Sequence, residues 1–212
     1  MDAGPAGLMH PGDREALWRV LRARRDHRHF RPDPVPPEAL ERVLDAFRVA
    51  PSVALSQPWH VTVVRRAELR EAVHASFTAV RTRERERFGG ERRALYDTLK
   101  LEGIREAPVG LLVSFVPPTD AVLGTTSLPA ALEYSVVSAI TLAWLAATAE
   151  GLGLGWVSLV EPEPLREALA LPPHVRPLAY LCLGFPALDL KEPLLQTVGW
   201  AGARPLAVDW RD

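Results

Sequence analysis

Leu128–Val160 reads LPAALEYSVVSAITLAWLAATAEGLGLGWVSLV. From Ala130 to Ala149 the residues are apolar or small on every face, interrupted only by Glu133 and a few hydroxyls. A helix of that composition is buried all round. Its length approaches that of a membrane span. However, Glu133 lies inside the run, Glu150-Gly151 ends it, and no basic flank follows. The stretch is therefore expected to be a core helix that turns through Gly151 and Gly153 into a buried strand over Leu154–Val160. Glycines there let backbone approach backbone, or a ligand, closely. Ser158 is the polar residue in that otherwise apolar strand.

Around this centre, 212 residues suffice for one large domain with a real core. The formal net charge of −1 favours neither nucleic acid nor an anionic membrane as partner. Nearly all cations are arginine, with only Lys100 and Lys191 as lysines. The single cysteine, Cys182, sits in the apolar run 178–183 and reads as an inert core residue, so no disulfide framework exists. The six histidines are scattered without metal-ligand spacing, and no metal is expected. The N-terminus lacks a basic region followed by an apolar one, which predicts a cytoplasmic protein.

Residues 1–12 are rich in Gly and Pro and are expected to form a disordered tail ahead of a domain over 13–212. Asp13 is a good N-cap for a helix reaching Arg24. Pro36-Pro37 opens a second helix carrying Leu40, Val43, Leu44 and Phe47 on one face, ended by Ala50-Pro51. His60–Val64 reads as a strand. Residues 67–107 are highly charged and suggest two helices, Glu68–Phe88 and Glu91–Glu106, able to act as a lid or as an ordinary exposed hairpin. Val109–Val116 and Leu178–Gly184 read as buried strands, with a short helix at Pro164–Leu171 between the central strand and the last. From Phe185 the chain is proline-rich and aperiodic, which suits an extended arm over a partner subunit. The GLGLG at 151–155 precedes a strand, so it is not a dinucleotide fingerprint. Arg24–Arg31 places several cations around the single carboxylate Asp26, a candidate anion site that also suits a solvated helix end.

Three motifs act together: RRDxRxF at Arg24–Phe30, APSxxxSQPW at Ala50–Trp59, and EGLGLGWVS at Glu150–Ser158. Their order and spacing resemble the nitroreductase-like flavoprotein family over roughly Asp13–Pro205. The resemblance implies an α+β fold: a three-layer α/β/α arrangement with a central mixed sheet, a long buried central helix and an extended C-terminal arm. It also implies a homodimer with FMN at the subunit interface. Arg24, Arg25, Asp26 and Arg28 would bind the flavin, with Arg28 or Arg24 on its phosphate, since the planar guanidinium fork suits phosphate. Ser52, with Ser56 beside it, would reach FMN from the other subunit. Leu101 would lie near the flavin in the lid segment, and Ser158 would face the isoalloxazine edge.

Asp26 and the segments Leu99–Pro108, Tyr134–Ile140, Ala179–Gly184 and Gly199-Trp200 resemble those members of the family that consume their flavin. The implied reaction takes reduced FMN as substrate and molecular oxygen as oxidant. It fragments the flavin to 5,6-dimethylbenzimidazole, the lower ligand of vitamin B12. Asp26 and Ser158 are the candidate catalytic residues: Asp26 as acid/base, Ser158 as hydrogen-bond partner of the reacting ring. Amid arginines the Asp26 carboxyl is expected to have a lowered pKa. A closed lid leaves little room for NAD(P)H, so a separate flavin reductase is expected to supply reduced FMN. The other readings are a general FMN-dependent NAD(P)H nitro or quinone reductase and a non-catalytic flavin-binding protein. His27, His29 and Arg204 are assigned no role.

Overall fold

The structure, a computed structural model, describes residues 10–211. Residues 1–9 of the expected N-terminal tail lie outside the described residues, and Pro11 and Gly12 belong to the first helix. The helices are α1 (Pro11–Ala23), α2 (Pro37–Arg48), α3 (Ala67–Arg85), α4 (Gly90–Thr98), α5 (Ala131–Ala149), α6 (Pro162–Ala168) and α7 (Leu194–Thr197). The strands are β1 (Trp59–Val64), β2 (Val109–Phe115), β3 (Gly153–Val157) and β4 (Arg176–Gly184). Asp13 sits inside α1 rather than at its cap: His10 is the N-cap, and the Asp13 carboxylate accepts the His10 N–H.

The four strands form one sheet in the order β1-β2-β4-β3, every pairing antiparallel. The mixed character expected of the sheet is confined to one parallel bridge, Asp26 to Leu154. Side chains alternate across the pleat. Val109, Leu111 and Val113 of β2, with Ala179, Leu181 and Leu183 of β4, meet α2 and α5 on one face. Leu112, Tyr180 and Cys182 face the other way, into a second cluster with Val73 and Phe77 of α3 and Leu165 of α6. Helices on both faces of one sheet make the three layers. Leu111, Leu112 and Val113 are fully enclosed, each contributing about 1.5–3 kcal/mol by burial. Burial pushes the Cys182 thiol up to about 12, which keeps it neutral and inert as expected.

Two local expectations change. The helix α5 is long and apolar enough to cross a membrane by composition, yet it packs on α2, β2 and β3. It is buried along a single stripe, including Val136, Ala139, Ile140, Ala143 and Ala147, and not all round. Tyr134, Val137, Ser138 and Thr141 on its opposite face are exposed. Secondly, the expected helix 91–106 ends at Thr98, and residues 99–107 run as a turn-rich loop. There Lys100 bonds Glu102 and Glu106, and buried Glu102 accepts the Ile104 N–H at 2.6 Å, local bonds that compete with a helical ladder.

Of the two glycines expected to turn the chain after α5, Gly151 does so, whereas Gly153 is already the first residue of β3. Gly151 takes a φ of +71° to turn the chain. At Gly155 a Cβ atom would overlap the carbonyl oxygen of His27, so only glycine lets β3 lie against the segment that follows α1. Gly155→Ala should therefore force the two segments apart and lower stability by about 1–3 kcal/mol. Urea unfolding of both proteins checks this, and an unchanged midpoint would contradict it.

Candidate active site

β3 is an edge strand, and the chain leaving α1 covers that edge. The His27 N–H donates to the Leu154 carbonyl at 3.1 Å. The Asp26 carboxylate then substitutes for a strand: its Oδ1 accepts the Trp156 N–H at 3.0 Å. Arg28 closes the ring, donating through Nη2 to Asp26 Oδ2 at 2.5 Å and to the Trp156 carbonyl at 2.8 Å. RRDxR spacing produces this because alternate residues of an extended segment point the same way, placing Asp26 and Arg28 on one side.

The other two arginines are held by different means. Arg24 lies over the Trp144 ring of α5, 5.0 Å from its centroid. Arg25 spans to the C-terminal arm, donating to the carbonyls of Arg22, Arg24 and Lys191. Its own carbonyl accepts the Trp144 indole N–H. His27 turns away from this side to pack against Gly153 and Pro186. Burial first, and then Arg25, Arg28 and Arg24, push its imidazole down, so it stays neutral.

Arg24, Arg25, Asp26 and Arg28 line a cavity of about 160 Å³, closed by Lys100, Leu101 and α7 residues of the C-terminal arm. Arg28, Leu101 and Leu195 also line an adjoining cavity of about 230 Å³, whose walls include Tyr96, Trp156, Ser158 and Trp200. The first cavity thus presents four cations and one carboxylate. Arg28 Nη1 is buried with no hydrogen-bond partner among the described residues. That donor set suits a ligand with an anionic end, and the aromatic second cavity suits a flat ring.

Five of the expected residues therefore surround the first cavity or join the two: Arg24, Arg25, Asp26, Arg28 and Leu101. Ser158 joins them at the second cavity, but as an exposed residue just past the end of β3, which stops at Val157 instead of continuing to Val160. Ser52 and Ser56 line neither cavity within one protomer. Ser52 Oγ accepts the Gln57 N–H, and Ser56 Oγ is buried without a partner among the described residues. Their loop holds Ala54, Leu55 and Gln57 at φ of 48°, 54° and 41°, left-handed conformations that non-glycine residues rarely adopt. Strain of this kind, about 1–3 kcal/mol per residue, persists where the surroundings enforce it and clusters at functional loops. Lys100, Leu195, Trp156 and Trp200 were not legible as site residues. Lys100 carried a signal as one of two lysines in an arginine-rich chain, while Trp156 and Trp200 stood within the family-like segments EGLGLGWVS and Gly199-Trp200 without being assigned a contact.

The Asp26 carboxyl departs from expectation. Crowding by the surrounding protein raises it above the ordinary aspartate value, outweighing Arg28, the Trp156 N–H and Arg24, which all pull it down. Charge neighbours were visible in the sequence, but the protein packed around a carboxyl whose side chain stays 42% exposed was not. A carboxyl moved toward neutrality is better placed to exchange protons. The folded chain holds this proton more tightly than the unfolded one. Its contribution to stability is thus fully present below pH 3.8 and is lost as the pH rises through the raised value. Asp26→Asn preserves the neutral shape. Its stability relative to the parent should grow across that window and then level off. Urea unfolding at a series of pH values measures the difference, and a flat or opposite trend would show the arginines in control.

Residues 21–185 match the Nitroreductase family. The chain is 41% identical over 207 residues to a 5,6-dimethylbenzimidazole synthase of Rhodospirillum rubrum, covering 97% of each protein. It is 42% identical over 189 residues to a protein of the same name from Rhodobacter capsulatus, covering 88% of this chain and 91% of the relative. Among solved structures, it is similar to oxidised iodotyrosine deiodinase bound to FMN and 3-iodo-L-tyrosine. That TM-score is 0.74 at 20% identity, covering 92% of this chain and 99% of the other, which establishes the shared fold.

Proposed function

The chain belongs to the nitroreductase family, and we propose that it converts reduced FMN and dioxygen to 5,6-dimethylbenzimidazole. The observation that carries this reading is Asp26: a carboxylate locked between Arg28 and the Trp156 N–H, at the wall of a cation-lined cavity. The name of the Rhodospirillum rubrum relative, similar over nearly its whole length, supports the same chemistry.

FMN fits the residues present. Three arginines against one carboxylate suit a phosphate dianion, and Arg24, Arg25 and Arg28 would hold it, with Lys100, itself paired to Glu102 and Glu106, beside the ribityl chain. Leu101 and Leu195 supply apolar contact where the two cavities meet. Reduced FMN supplies both the electrons for dioxygen and the carbon skeleton of the product. Asp26 exchanges protons at its carboxyl while Arg28 fixes its orientation. Ser158 offers a hydroxyl at the mouth of the second cavity.

The working unit is a homodimer. The exposed stripe of α5, with Leu17, Trp18 and Leu21 of α1, leaves apolar surface that a second copy would cover. The strained Ser52–Gln57 loop, tied to α5 by the Val53 N–H to Ser135 Oγ bond, would then serve the partner's flavin. Residues 67–107 act as a lid in two parts. Val73 and Phe77 anchor α3 in the core, so α4 and the loop after it form the covering part. The arm holds that cover down: Trp200 packs edge-on to Phe88 at 5.2 Å, and Arg92 lies over its ring at 3.4 Å. A closed cover fits a cytoplasmic enzyme that receives reduced FMN from a separate reductase.

Incubation with FMN, a flavin reductant and air should yield 5,6-dimethylbenzimidazole by mass spectrometry. Asp26→Asn should retain FMN binding but lose at least about 99% of product formation, the lower range for removing a general acid or base. Intact FMN with brisk acceptor-dependent NADH oxidation would instead identify a general reductase. Trp200→Ala removes aromatic contacts of about 0.5–1.5 kcal/mol each. It should therefore speed proteolysis within residues 86–101 several-fold when FMN is present, and unchanged cleavage would rule out the clasp.

A further inference from the structure

A third cavity, of about 160 Å³, adjoins the site at Trp156 and Ser158. Its origin lies in the strand register. β4 pairs β2 through Val113 to Ala179, and then Ser114 to Pro177, leaving Leu178 as an extra residue in a bulge. On the other side of β4, β3 pairing stops at Val157 to Tyr180. Beyond that point the chain leaves the sheet through Ser158 toward α6. A gap opens between the diverging segments.

The lining is chemically one-sided. Val160, Leu165, Leu178 and Ala179 are aliphatic, and Pro162 and Pro177 have no backbone N–H to donate. Only Trp156 and Ser158, at the shared wall, carry polar side-chain atoms. The space opens to solvent beside the exposed Ser158 and Pro162, but water on its aliphatic side finds few hydrogen-bond partners, whereas a small apolar molecule gives up none there. We infer that this cavity holds dioxygen and delivers it past Ser158 to the flavin site. The inference rests on the proposed oxygen-consuming reaction and assigns it a route distinct from the cation-lined entrance. An uncharged diatomic enters such a space without losing hydrogen bonds, while the charged and polar parts of FMN are excluded from it.

The test uses xenon as an apolar probe and the oxygen reaction of bound reduced FMN as the functional readout. Xenon should occupy this cavity in pressurised crystals of the native protein. Val160→Phe, at a half-buried position that tolerates a larger side chain, should displace xenon. It should leave FMN affinity unchanged and slow the oxygen-dependent reoxidation of bound reduced flavin by about tenfold in stopped flow. Leu178→Phe, which fills the cavity from the opposite wall, should act alike. These results stand whether or not 5,6-dimethylbenzimidazole accumulates, so failure of the overall reaction would be separable. Absence of xenon, a native reoxidation rate in both filled variants, or benzimidazole product bound in this cavity would overturn the assignment.

Discussion

The hydrogen-bonded ring of Asp26, Arg28 and the Trp156 peptide is the constraint on which the site depends. An edge strand leaves unpaired N–H and C=O groups. Here a side-chain pair from the segment after α1 satisfies both groups of Trp156. The same bonds fix Arg28 in the wall of the first cavity, with its buried Nη1 against Gly155, and hold the carboxyl where burial raises its pKa. Structural closure of the sheet and placement of the Asp26 carboxyl in the cavity wall are one arrangement. Separating the edge from its cover, as a side chain at Gly155 would, disturbs both.

The C-terminal arm is the second organising feature. It has little regular structure beyond α7 and buries little of itself, yet it reaches the site twice. Arg25 holds it through the Lys191 carbonyl, Leu195 enters the wall shared by two cavities, and Trp200 packs on Phe88 and Tyr96. Gly199, at φ +72°, provides the turn that presents Trp200. An aperiodic segment can therefore be ordered by a few large contacts without a hydrophobic face of its own.

The cavities share walls in a line: cations, then aromatic rings, then aliphatic side chains. Arg28 and Leu101 join the first two, and Trp156 and Ser158 join the last two. Such a gradient from charged to apolar matches a ligand that is anionic at one end and aromatic at the other, with a small apolar co-substrate beyond. The β4 bulge at Leu178 is what extends the line past the sheet.

Local pattern alone determined the positions of the strands and the main helices, because periodicity and turn residues are properties of consecutive residues. The RRDxR motif marked residues that come to line one cavity, and the glycine run foretold a close backbone approach. Tertiary structure decided the rest. Glu91–Glu106 is not one helix, because Glu102 turns inward to bond the Ile104 N–H. Ser158 lies outside its strand, because the chain leaves β4 after the Val157–Tyr180 pair and turns toward α6, although β4 continues to Arg176. Helix α5 keeps an exposed apolar stripe, which its composition could not locate. Above all, the sign of the Asp26 shift reversed. Sequence displays the neighbouring charges, but the water that folding removes depends on segments more than a hundred residues away.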